Sequence, residues 1–107
     1  MSDATTKLRK AAIERVLDGA GTTSADRRRA AFDNAGVEEP ARALIDKVTN
    51  TAWKVTDEDV AAAKAAGLTE DAIFELAVAA SLGQSSRQLA SALAAVDQAF
   101  GNEKAKP

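Results

Sequence analysis

Apolar positions along this chain recur at the spacing of helices, not of strands. Between Lys7 and Leu17, the residues Leu8, Ala12, Ile13, Val16 and Leu17 fall on one helical face. Asp18-Gly19-Ala20-Gly21 ends that helix, because two glycines so close are hard to keep helical, and marks the expected hinge or loop. Ser24 is the predicted cap of a second helix, with Asp26 in the first turn, where negative charge suits the helix dipole. This helix is expected to run to about Ala35, with Gly36 left-handed behind it and Val37 as the apolar contact that follows. Glu38-Glu39-Pro40 opens a third helix, whose stripe is Leu44, Ile45, Val48 and Ala52 and which Trp53 closes. Thr56 and Asp59 have the spacing of a capping box and start a short, alanine-rich fourth helix that ends at Ala66.

The most apolar stretch follows, from Leu68 to Phe100. Thr69 caps its first helix, with Glu70 and Asp71 in the opening turn. Ile73, Phe74, Leu76, Val78 and Leu82, with alanines between them, leave no polar face, which predicts a helix buried on most sides. Gly83 is expected to break the chain, with Ser85 or Ser86 capping a last helix. In that last helix Leu89, Leu93, Val96 and Phe100 form a single seam for packing against another helix. The pattern predicts an all-α fold, a bundle of about six helices in one domain over residues 1–107, with polar, flexible tails at 1–6 and 101–107.

Composition changes the expected core. The apolar share is 46%, but aromatics supply only 4% and alanine dominates. Alanine favours the helix yet buries little area. Closely packed helices with a core thin in large side chains are therefore expected, an arrangement that favours burying more surface against a second subunit. A net charge of −2 and a pI of about 5.1 give no electrostatic case for nucleic acid. No apolar run approaches the roughly 20 residues of a membrane span. The N-terminus lacks the apolar centre of a signal peptide, so a soluble, cytoplasmic chain is expected.

The sequence has no cysteine and no histidine. That removes disulfides, thiolate metal sites and thiol catalysis, together with the commonest general base and the commonest metal ligand. Serines 81, 85, 86 and 91 have no histidine to activate them, and Lys54 or Lys64 as an unusual base has no support. No metal and no cofactor is expected. The acidic groups Asp57-Glu58-Asp59 and Glu70-Asp71 could attract a hard cation, but each lies in a first turn behind a capping threonine, which already accounts for it. Arg27, Arg28 and Arg29 form the one basic run. Consecutive helical residues diverge, so they read as a solvated face or intrachain pairs, with phosphate or an acidic partner as the alternative. Trp53 is either an anchor for a partner or a filler at the edge of the core. Glu75, between Phe74 and Leu76, needs a partner if it is buried. Arg87 is the expected ion-pair partner; a ligand-binding or catalytic acid is the alternative.

The run VTDEDVAAAKAAGLTEDAIFELAVAASLGQSSRQLASAL resembles the alkylhydroperoxidase D-like and carboxymuconolactone decarboxylase family. The cues are a capped short helix ending in Ala-Gly-Leu, then Thr-Glu-Asp opening an apolar helix, then a glycine and a further helix. The similarity covers Ala41 to about Val96, the length of one family repeat. In redox members the last helix opens with Cys-x-x-Cys and carries a histidine four residues on. Those places hold Gln84, Arg87 and Ser91 here, so the resemblance implies a helix start without its thiol and excludes peroxidase or disulfide chemistry. The decarboxylase branch does not need the cysteines, and some two-unit members contain one unit without the motif. Family members assemble as trimers or hexamers. The resulting expectation is a non-catalytic, self-associating protein, acting through assembly or a protein partner. The alternative is a small-molecule-binding protein or cofactor-free lyase with Gln84, Arg87 and Glu75 lining a pocket.

Overall fold

A computed structural model describes residues 3–105, with side chains to Gly101. All of its regular structure is helical: α1 (Asp3–Asp18), α2 (Ala25–Asp33), α3 (Arg42–Thr51), a single 3-10 turn at Ala52–Lys54, α4 (Asp57–Ala65) and α5 (Glu70–Ala105). The all-α expectation holds. The count differs, because the two helices predicted between Leu68 and Phe100 are one helix of 36 residues. Gly83 does not break it, and Ser85 caps nothing. The Ser85 hydroxyl instead donates inside the helix to the carbonyls of Ser81 at 2.9 Å and Leu82 at 3.2 Å. Residues 3–6 and 101–105, expected as tails, belong to α1 and α5; the remainder of both predicted tails lies outside the described residues.

The caps at Ser24, Thr56 and Thr69 behave as the sequence predicts, but two helix ends differ: α2 stops at Asp33 on a left-handed Asn34 (φ 49°) rather than at Ala35, and α3 starts at Arg42 behind Ala41 rather than at Pro40. The Ser24 hydroxyl accepts from the Arg27 amide at 3.2 Å, and the Thr69 hydroxyl from the Ala72 amide at 3.1 Å. Gly36 and Gly67 hold positive φ angles of 72° and 112° after α2 and α4. At α4 the box closes both ways: Asp59 N–H donates to the Thr56 hydroxyl at 3.3 Å, and Thr56 N–H donates to the Asp59 carboxylate at 2.9 Å. Lys47 of α3 donates to the same carboxylate at 2.8 Å and is the main cause holding Asp59 below the usual carboxylate range. This one acid therefore caps α4 and ties it to α3. Thr56→Ala is expected to lower stability by about 1 kcal/mol in urea unfolding, and an unchanged midpoint would contradict this role for the box.

The core is thin, as the composition implies. Its buried apolar residues run from Leu17 through Ala31, Val37, Leu44, Ile45 and Leu68 to Ala80, and half of them are alanine. The largest fully buried side chains are Ile45 and Leu76. Burying one such side chain contributes about 1.5–3 kcal/mol, so few residues supply most of the apolar stabilisation. α5 is the axis of the fold, with α2 and α3 as its main neighbours. Its inner face is Ala72, Leu76, Ala79, Ala80 and Gly83, and all but Leu76 are small residues that let neighbouring helices come close. The expectation that this half of α5 is buried on most sides is corrected here: Phe74 is 70% exposed. Beyond Gly83 no described residue of α5 is buried, and the molecule measures 63 × 28 × 21 Å. α1 docks only through its last turns, by Ile13, Val16 and Leu17, and leaves Leu8 exposed.

Candidate functional site

The residues singled out by the sequence lie at three separate places, and the first is Glu75. Its carboxylate does not meet Arg87. It receives four hydrogen bonds from the loop between α1 and α2: Thr22 gives its amide at 2.9 Å and its hydroxyl at 2.8 Å to Oε2, and Thr23 gives its amide at 2.9 Å and its hydroxyl at 2.7 Å to Oε1. Two consecutive amides point at one acid because the Gly19–Ser24 loop turns back over α5. Gly21 lies so close that a Cβ there would stand 2.7 Å from Oε1. The amides of Thr23 and Thr22, then their hydroxyls, pull the Glu75 carboxyl down to about 2. The glycine-rich loop expected as a hinge is thus clasped to the central helix. A carboxylate with each oxygen accepting two bonds, and with so low a pKa, is a poor general acid or base near neutral pH.

Arg87 is the second place. Its guanidinium donates to the Phe32 carbonyl at 2.6 Å and to the Gln84 side chain at 3.2 Å. Phe32 lies in the last turn of α2, where carbonyls lack helical partners, and Arg87 fills that need. Gly83, one turn earlier on α5, lies under the same carbonyl, and a Cβ at Gly83 would overlap the Phe32 oxygen. Gly83 and Arg87 together form the seat for the end of α2. Glu75 and Arg87 are twelve positions apart on one straight element, about 18 Å along its axis, so they neither pair nor face a common pocket. Gln84 sits in the middle of α5, and Ser91 is exposed farther out. The helix start implied there by the family resemblance is not present, and with it goes the field that would lower a thiol's pKa at that place.

The basic run and Trp53 make up the third group. The three arginines diverge as their spacing requires. Arg28 is buried and donates to the Val16 carbonyl at 2.7 Å and the Ser24 carbonyl at 3.4 Å, closing the end of α1 over the start of α2. Arg29 pairs with Asp18, and Arg27 borders a shallow cleft with Asp26 and Glu38. Trp53 corrects the core-filler reading: it stands on the 3-10 turn with 78% of its surface exposed. Among the described residues no three acidic side chains gather as a metal site would require.

A feature the sequence analysis divided in two is continuous in the structure. Phe74, Ala77, Val78, Ser81, Leu82 and Ser85 line an open apolar trough on the outer face of α5. The seam of Leu89, Leu93, Val96 and Phe100 continues it without interruption, with Val96 47% and Phe100 57% exposed. The signal was present in the spacing of the apolar residues, but the assumed break at Gly83 concealed it. Comparison of the chain with protein-family models, with curated proteins and with solved structures found no match.

Proposed function

We propose that this is a non-catalytic, self-associating helical protein that acts through assembly or protein-partner binding, on the scaffold that its Ala41–Val96 run resembles. The observation that carries this reading is the apolar outer face of α5, where Phe74, Val96 and Phe100 stand in water. Exposed apolar surface of this extent on a small chain marks an interaction site more often than a free surface. The alanine-rich core points the same way, since little large apolar surface is buried within one chain. The chemistry is consistent with this. The sequence supplies no imidazole or thiol, Glu75 is committed to the α1–α2 loop, and Arg87 is committed to α2.

The resemblance implies a trimer or hexamer. Multi-angle light scattering on the purified chain at micromolar concentration is expected to give a mass that is a multiple of 11.1 kDa. A stable monomer across that range, with no partner recovered, would overturn the proposal. The small-molecule or lyase alternative requires Gln84, Arg87 and Glu75 around one cavity, an arrangement that the 18 Å separation, estimated at about 1.5 Å per residue, does not favour.

A further inference from the structure

We infer that α5 pairs with α5 of a second copy, antiparallel, about a two-fold axis beside Arg87. The inference rests on the self-association proposed above and specifies its contact.

The argument starts from the order of side chains on the outer face. Position i and position 174 − i are matched about residue 87. This sets Phe74 against Phe100, Val78 against Val96, and Ser85 against Leu89. It also sets Ser81 against Leu93 and Leu82 against Ala92. Thus the ends and their neighbours meet like with like, and the middle layers put a large residue against a small one. Alternating large and small residues lets facing helices interdigitate without voids or overlap. A parallel pair would instead stack Ser81 on Ser81 and Ser85 on Ser85, burying hydroxyls together, and Leu89 on Leu89. The stripe is complementary to its own reversal, as a two-fold contact requires, because each patch must be its own complement.

Charge agrees. Between Leu76 and Gly101 the ionisable residues of α5 are Arg87 and Asp97. Arg87 marks the register of the axis but lies on the opposite, inner side of α5, where its guanidinium donates to the Phe32 carbonyl. From Leu76 onward the contact face is left without a charge to desolvate; at its Phe74 end it is bordered by Arg15 and by Glu75, whose carboxylate is already held by Thr22 and Thr23. Antiparallel helices also oppose their dipoles favourably.

The length of the helix supplies the remaining reason. Past Gly83 no described residue of α5 is buried, and most helical stability in proteins comes from packing an apolar face rather than from propensity. In the antiparallel pair, the free outer half of each copy lies along the trough on the body half of the other. The overlap runs from Phe74 to Phe100, about 39 Å at 1.5 Å per residue. A helix pair of that length approaches the ~1,200 Å² at which stable, specific interfaces begin. The same contact can stand alone as a dimer or recur three times within a hexamer.

Because the chain contains no cysteine, introduced thiols report on the contact cleanly. Phe74 and Phe100 are both exposed, so F74C and F100C leave the fold of one chain intact. Co-expressed with one copy size-tagged and oxidised with glutathione, the two variants are expected to form an F74C–F100C disulfide between chains. Either variant alone should not cross-link, since equal positions would stand about 39 Å apart. Leu93→Asp is expected to weaken association by ~100-fold or more, because it places an unpaired charge in the seam. Cross-linking of F100C with itself, or an oligomer without the mixed disulfide, overturns the antiparallel contact and leaves self-association standing. A monomer at every concentration overturns both.

Discussion

Glu75→Ala is expected to lower the stability of the folded chain by about 2–3 kcal/mol, the scale for removing a charged acceptor from a set of buried or half-buried donors. The variant deletes one side chain but strands four donors, the amides and hydroxyls of Thr22 and Thr23, and Thr23 is buried. Glu75→Gln keeps the shape and is still expected to destabilise, since its NH2 group would face donors. The wild type should also show an acid dependence that Glu75→Gln lacks. Folded Glu75 sits at about 2 against an ordinary 4.5. Between those values the unfolded chain binds the extra proton, so stability is full above pH about 5 and declines as pH falls towards about 2. The carboxylate is only half-buried, and solvent screening limits this contribution to no more than ~2 kcal/mol. Urea midpoints measured from pH 7 to pH 2 test both claims. Equal midpoints for wild type and Glu75→Gln at neutral pH, with equal acid slopes, would remove the clasp from the account of this fold.

Much of the local structure was legible because its causes are local. Ser24, Thr56 and Thr69 cap helices through amides three residues away, and the short-range spacing states this without help from the rest of the chain. The alanine-rich core followed from composition for the same reason. What could not be read was set by contacts across long separations. Glu75 reaches back more than fifty positions to Thr22 and Thr23, and nothing in the sequence near Glu75 marks those threonines as its partners. Arg87 is the expected partner only if the chain breaks at Gly83 and folds back; a continuous α5 carries it out of reach.

The misjudged continuity of α5 had the larger consequence for function. A glycine within an apolar run has two physical explanations: it ends a helix, or it admits another backbone. Taken as an end, Gly83 split the outer face of α5 into a buried core helix and a separate seam. With the helix continuous, Phe74, Val78 and Leu82 join Leu89, Val96 and Phe100 on one surface, and the interaction reading gains a definite face. The absence of cysteine and histidine was plain from the start, and it still bounds the chemistry.

The choice between the two explanations of Gly83 can be made by the sign of one measurement. If Gly83 were only a weak point in a helix, Gly83→Ala would stabilise the protein by up to about 1 kcal/mol through helix propensity. The structure predicts the opposite. A Cβ at Gly83 would overlap the Phe32 carbonyl, which is backbone and cannot rotate aside. The end of α2 would have to lift from α5, loosening the 2.6 Å bond from Arg87 and the packing of Ala31 and Phe32. Overpacking of this kind costs about 1–3 kcal/mol. With the propensity gain subtracted, Gly83→Ala is expected to destabilise by up to about 2 kcal/mol, and Gly83→Val by more. Gly101 is the internal control, because it lies on the same helix with open space where its Cβ would stand. There the same substitution should be neutral or slightly stabilising. Urea unfolding of the two alanine variants side by side is therefore expected to move the midpoints apart, Gly83→Ala downwards and Gly101→Ala level or upwards. A rise at both positions would mean that α2 does not rest on α5 at Gly83, and the seat built from Gly83 and Arg87 would have to be abandoned.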